Sequence, residues 1–171
     1  MKTIYSKATL AILLLILTSS SLYAQQKRNI GLSATIQGNQ YGIMMPVWVS
    51  SRVALVPVIE LVSASKIGTD LGIGISPRYY FKTEKLSPYL GVKLGTVLNF
   101  PSSKNQVDDK TKLDLIGGLN FGAEYFIAEK LSLGIEAQGN FTKSDKNSNR
   151  FGNPDGINFN TGTMLVATIY F

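Results

Sequence analysis

The sequence predicts an all-β fold: an eight-stranded antiparallel transmembrane up-and-down β-barrel preceded by a signal peptide. Three observations predict it. Beyond residue 25, apolar residues alternate with polar or small ones almost throughout, and no helical stripe interrupts them. The alternating stretches run to about 9–15 residues, which suits tilted strands crossing a bilayer. The final stretch keeps its alternation to the last side chain, with Leu165, Ala167, Ile169 and Phe171 on one face. A closed barrel asks for such a strand, because its last strand must pair with its first to remove both sheet edges.

Residues 1–24 read as a secretory signal peptide. Lys2 and Lys7 give the charged start, residues 8–17 the apolar run, and small and polar residues 18–23 precede a cut after Ala24. Leu22 is larger than the residue usual at its position before the cut. The apolar run is shorter than the roughly 20 residues of a membrane-spanning helix. Residues 25–171 then form one domain, the barrel.

Eight stretches follow. Residues 28–37 place Ile30, Leu32, Ala34 and Ile36 on the apolar face, and residues 40–49 place Ile43, Met45, Val47 and Val49 there. Residues 53–63 offer Leu55, Pro57, Ile59 and Leu61; residues 70–81 offer Leu71, Ile73, Ile75, Tyr79 and Phe81. Residues 88–100 offer Leu90, Val92, Leu94 and Leu98; residues 113–127 offer Leu115, Leu119, Phe121 and Tyr125. Residues 131–141 offer Leu133, Ile135 and Ala137, and residues 157–171 complete the set. Pro46 and Pro57 each lack a ladder donor, which predicts a bulge or a strand end nearby. Residues 49–52, 82–87 and 128–130 make short connections, whereas 101–112 and 142–156 are long and polar. Transmembrane barrels have this asymmetry, with the short turns on the periplasmic side. Tyr79, Tyr80, Phe81, Tyr89, Tyr125, Phe126, Tyr170 and Phe171 are expected as an aromatic girdle at the short-turn end, and Tyr41, Phe100, Phe141 and Phe159 at the other.

Alternation alone does not say which face is outside; a soluble ligand-binding barrel turns its apolar face inward. Two features favour an apolar exterior. The second face carries Gly72, Gly74, Gly91, Gly95, Gly118, Gly122 and Gly134, and small residues suit the crowded interior of an eight-stranded barrel. The terminal aromatic also has no evident purpose in a soluble barrel.

Composition removes several function classes. There is no Cys and no His, so thiol chemistry, disulfides, and the commonest general base and metal ligand are absent. The formal charge of +6 falls to +4 once Lys2 and Lys7 leave with the signal, and the cations are scattered rather than clustered as nucleic-acid binding requires.

The tetrapeptide Glu84-Lys85-Leu86-Ser87 recurs as Glu129-Lys130-Leu131-Ser132, each preceded by aromatics and followed by an alternating stretch. These are two copies of one hairpin. Arg78 aligns with Glu124 and Lys93 with Glu136, so one copy carries cations where the other carries anions. All four share the glycine-rich face, as does Glu60. Buried charges must be paired or hydrated. Glu60, Arg78, Lys93, Glu124 and Glu136 are therefore expected to form an ion-pair network in the lumen, with Arg78 and Lys93 approaching Glu124 and Glu136. Solvated charges near the rim are the plainer alternative. A catalytic reading of Glu124 and Glu136 is disfavoured, since nothing nearby offers a nucleophile or metal site. Asp108, Asp109 and Asp114 lack calcium-loop spacing and are expected as solvated loop charges. Residues 149–156 are turn chemistry, in which Phe151 offers a contact.

Three segments also carry a resemblance: residues 124–134, with the sequence EYFIAEKLSLG, residues 149–156, and the ending Ile169-Tyr170-Phe171. Through them the whole mature chain resembles the small OmpA/OmpX-like outer-membrane β-barrel proteins, and is most similar to the porin-family outer-membrane barrel domains common in Bacteroidetes. The resemblance implies an outer-membrane location reached by export. It also implies insertion by the outer-membrane barrel assembly machinery, whose signal Ile169 and Phe171 match; Val166 stands where the proteobacterial form usually has Gly. Outer-membrane lipid is then a partner, the loops at 101–112 and 142–156 offer a surface to an extracellular partner, and no nucleic acid is involved. The expected role is structural or surface-interacting, without catalysis or cofactor. The alternative is a narrow porin-like pore for ions or small solutes.

Overall fold

The computed structural model describes residues 29–64, 68–101, 110–148 and 152–171. The expected signal peptide, most of the connection at 101–112, and Phe151 lie outside the described residues. The strands are β1 (Gly31–Gln37), β2 in two pieces (Gln40–Met44 and Val47–Trp48), β3 (Val53–Ala64), β4 (Gly68–Tyr80), β5 (Leu86–Pro101), β6 (Lys112–Ala128), β7 (Leu131–Lys143) and β8 (Ile157–Tyr170). Each pairs antiparallel with its neighbour in sequence, and β8 pairs with β1, so the sheet closes into an eight-stranded barrel.

The strand break that the sequence predicts is present at Pro46, whereas Pro57 lies inside β3 with neither a break nor a bulge. Strand β2 is interrupted at Met45–Pro46, but its register against β3 passes through unchanged, from Met44↔Val58 to Val47↔Leu55, with no inserted residue. Each proline loses only its own donor: the Pro46 carbonyl accepts the Gly31 N–H at 2.8 Å, and the Pro57 carbonyl accepts the Met45 N–H at 3.0 Å. The register shift lies elsewhere, between Phe126 and Ala128 where β6 meets β7.

The barrel is built with its apolar face outward. Leu90, Val92, Leu119, Phe121, Leu133 and Ile135 are exposed, whereas charged and polar side chains fill the lumen. Period-two alternation produces both faces at once, because successive side chains point to opposite sides of the wall. The girdles need one correction. Tyr41, Phe100, Phe141 and Phe159 face outward at the end of the long connections, here the loop end, and Tyr79, Phe81, Tyr125 and Phe171 do so at the turn end. Tyr80, Tyr89, Phe126 and Tyr170 instead point inward and are buried. Their strand parity places them with Arg78, Lys93, Glu124 and Val166, not with the lipid-facing set.

The wall is uneven in height. The β1–β2 hairpin turns through only Gly38 and Asn39, with Gly38 at φ +57°. The β8–β1 ladder ends at Ile36↔Leu165, while β8 continues to Ile157 paired with β7 alone. Residues 157–163 thus extend beyond β1 by about 23 Å along the strand, at roughly 3.3 Å per residue.

Candidate functional site

The lumen is the site, and the register fills its turn-end half. Tyr89 lies opposite Gly122, and a Cβ on Gly122 would sit 2.5 Å from the Tyr89 ring and hydroxyl. Tyr170 lies opposite Gly31, whose Cβ would sit 2.9 Å from that ring. The missing side chain on one strand is what lets an aromatic from the next lie across the bore. Trp48 stacks on Tyr80 at 4.5 Å between centroids, and Tyr80 on Tyr89 at 5.0 Å.

These rings bring their hydroxyls to two carboxylates. Glu124 accepts from the Tyr80 hydroxyl at 2.7 Å, the Tyr170 hydroxyl at 2.8 Å and the Ser132 hydroxyl at 3.1 Å. Glu136 accepts from the Tyr89 hydroxyl at 2.7 Å, Asn120 Nδ2 at 2.8 Å and Gln138 Nε2 at 2.7 Å. Arg78 links the two: its guanidinium is 2.8 Å from Glu136 and 3.9 Å from Glu124, and it lies 4.7 Å from the Tyr89 ring centroid. Arg78, Glu124 and Glu136 are each 1% exposed, so their attraction is little screened by water. The bonds are charge-assisted, and one cation between two anions leaves the hydroxyl donors to carry the second negative charge. This cluster plugs the bore.

The second ion pair differs from the pairing expected from the repeat. Lys93 binds both oxygens of Glu60, at 2.6 and 2.7 Å, rather than Glu124 or Glu136. Glu60 comes from β3, two strands away around the wall, and the strand stagger puts it level with Lys93. The structure therefore brings Arg78, Glu124 and Glu136 into one cluster, and Glu60 and Lys93 into another nearer the loop end. Asp114 also departs from expectation. It is fully buried rather than a solvated loop charge, and it accepts from Asn99 Nδ2 and the Asp145 N–H, both at 2.8 Å. It thereby ties the start of the 144–156 connection to the wall. Ile169 and Phe171 face outward on the strand that closes the barrel.

Above the plug, nearer the loop end, the lumen holds a vestibule of about 250 Å³, with Gln37, Glu60, Asp70, Lys93, Asn140 and Asn160 among its walls. Between vestibule and plug, the space around Arg78, Lys93, Glu136, Met44 and Met164 has no room for a water molecule.

The N-terminal β-barrel domain of Pseudomonas aeruginosa OprF superposes with a TM-score of 0.59 at 14% identity, covering 83% of this chain and 95% of that one. Neisserial surface protein A (NspA) superposes with a TM-score of 0.60 at 15% identity, covering 83% and 93%. The fold is that of a small outer-membrane β-barrel. The de novo designed TMB2.3 also matches, with a TM-score of 0.50 at 11% identity over 86% and 98% of the two chains. No protein-family model and no curated protein matches the chain. At these identities the likeness concerns architecture, and the lumen chemistry rests on this chain's own residues.

Gly122→Val should lower refolded stability by about 1–3 kcal/mol, because the added carbons meet the Tyr89 ring. Gly117→Ala, where a Cβ would lie 3.7 Å from Leu94 on the outer face, should leave the urea midpoint nearly unchanged. Equal effects from the two would remove the glycine-slot explanation.

Proposed function

We propose that the chain is an integral outer-membrane protein, exported by a cleaved signal peptide, whose barrel is closed and whose role is structural or surface-interacting rather than catalytic. The observation that carries the closed reading is the buried cluster of Arg78, Glu124, Glu136, Tyr80, Tyr89 and Tyr170 across the turn-end bore. The outward face supports the membrane reading. Between its two aromatic rims no charged side chain faces out among the described residues, which is the surface a hydrocarbon layer tolerates. Closure of the sheet leaves most backbone polar groups paired, as spanning a bilayer demands.

Partners follow from the same surfaces. Lipid covers the apolar belt. The assembly machinery engages β8, where Ile169 and Phe171 present outward apolar and aromatic contacts beside the β8–β1 seam. An extracellular partner meets the connections at the loop end. The 144–156 connection is suited to this: Asp114 holds it from within, and Lys143 pairs with Asp155 at 2.8 Å across its base.

Planar-bilayer recording tests the closed reading. The refolded mature protein is expected to show no steady conductance, and the double variant Tyr80→Ala/Tyr89→Ala to show openings. A steady conductance in the unmodified protein would instead support a narrow pore.

A further inference from the structure

We propose that the flank formed by β1 and β2 draws the headgroup layer of the outer leaflet down to the tip of their hairpin, so that the bilayer is thinner there than around the rest of the barrel. The proposal rests on the membrane reading above. It adds to that reading a surface shaped for lipid headgroups and their water.

The apolar belt slopes, and the register shows by how much. Pairs followed once round the wall leave β8 at Ala167, pass Ile43 on β2 and Thr96 on β5, and return to β8 at Ile157, ten residues nearer the loop end. Ten residues over eight strands tilt the strands by about 40°, so each residue climbs ~2.5 Å along the axis and each strand step ~3 Å. At the turn end, the outward residues Ile30, Phe81, Tyr125 and Phe171 then stand level within about 3 Å. At the loop end, Tyr41 on β2 lies about 5–15 Å below Phe141, Phe159 and Phe100. The belt is therefore about 18 Å tall from Ile30 to Tyr41, but about 25–35 Å tall on β5, β7 and β8. A bilayer meets a belt shorter than its hydrocarbon by thinning. Tilting the whole barrel would raise this flank only by unsettling a turn-end rim that is already level.

Polar backbone lies on the same flank. On β8 the Tyr170 N–H is given to Lys130 on the β7 side, and the Phe171 N–H to Ile30 on the β1 side. Alternation then turns the N–H and C=O groups of Thr163 and Thr161 toward β1. But β1 has turned back at Gly38, and among the described residues no strand pairs with this side of β8 beyond Leu165. Both peptide groups stand lower than Phe159, which stacks on Phe141 at 4.8 Å in the outward aromatic rim of β7 and β8. A flat bilayer reaching that rim would set an open sheet edge in hydrocarbon, where its N–H and C=O groups find no partner. The side chains agree. The outward set of β8 passes from Leu165 to Thr163 and Thr161, and Gly38 and Asn39 are exposed at the hairpin tip. Headgroups and water at the level of the tip satisfy all of these groups.

The test places one spin label at a time on the mature protein refolded into phosphatidylcholine vesicles. Tyr41→Cys on β2 and Leu94→Cys on β5 both face outward, level within about 2 Å by the same tilt. The label at 41 should collide with a water-soluble nickel chelate several-fold more often than the label at 94, which should meet dissolved oxygen instead. Asn39→Cys at the hairpin tip repeats the reading and leaves the aromatic rim intact. Leu32→Cys and Leu90→Cys form a level pair nearer the turn end, on opposite sides of the barrel, and should report equal depth. Equal depth at 41 and 94, with both labels in lipid, overturns the proposal and leaves the membrane reading standing. Unequal depth at 32 and 90 overturns it too, because a tilted barrel in a flat bilayer would then account for the first pair. Chelate contact at 94 as frequent as at 41 would sink the membrane reading itself, and the thinned flank with it.

Discussion

Arg78→Met is expected to destabilise the refolded barrel by about 3–5 kcal/mol, the usual cost of stranding a buried charge by removing its partner. Methionine keeps most of the side-chain volume, so the effect isolates the charge. Glu136 loses its 2.8 Å partner, and Glu124 loses the nearest cation. The tyrosine hydroxyls remain but cannot supply a countercharge. Glu124→Gln and Glu136→Gln should also destabilise, because each replaces an anion held by three hydrogen-bond donors. Glu84→Gln is the control. That carboxylate is 73% exposed and pairs with Lys82 at 3.7 Å, where a pair contributes about 0–1 kcal/mol. Urea unfolding in micelles, followed by heat-modifiable gel migration, measures all four. An Arg78→Met barrel as stable as Glu84→Gln would mean that the cluster is hydrated and does not plug the bore.

The second large effect is on the outer face. Leu119→Arg or Ile135→Arg is expected to cost about 2–4 kcal/mol, the cost of a guanidinium near the bilayer midplane. Leu119 is 61% exposed, so in water the same change would be nearly neutral. Ile127→Arg, outward but beside the turn-end rim, should cost about 0–1 kcal/mol, since that penalty falls toward the interface. Refolding into vesicles of defined lipid reads the difference. Equal costs at Leu119 and Ile127 would argue against a midplane position for Leu119.

Period-two alternation is a local property, so strand identity, the outward set and the inward placement of Glu60, Arg78, Lys93, Glu124 and Glu136 could all be read from it. Pairing across the bore is not local. It depends on how each strand is staggered around the barrel, and that stagger brings Glu60 of β3 to Lys93 while Arg78 takes Glu136. The hairpin repeat shows which charges correspond, but correspondence between copies is not contact. Height along the strands alone puts Tyr80, Tyr89, Phe126 and Tyr170 in the girdle and hides their parity. The even spacing from Arg78 to Tyr80, and from Tyr89 to Lys93, turns them inward. Asp114 carried the same signal, since its parity matches Asn120 and Glu124 even though it lies beside a long polar connection.

A single spin label tests the inside-out assignment most directly. The chain has no native cysteine, so Leu119→Cys gives one attachment point in the mature protein reconstituted into vesicles. Collision with dissolved oxygen, which concentrates in hydrocarbon, should dominate over collision with a water-soluble nickel chelate. The reverse, a label at position 119 that meets the chelate and not the oxygen, would contradict the assignment of the apolar face to lipid.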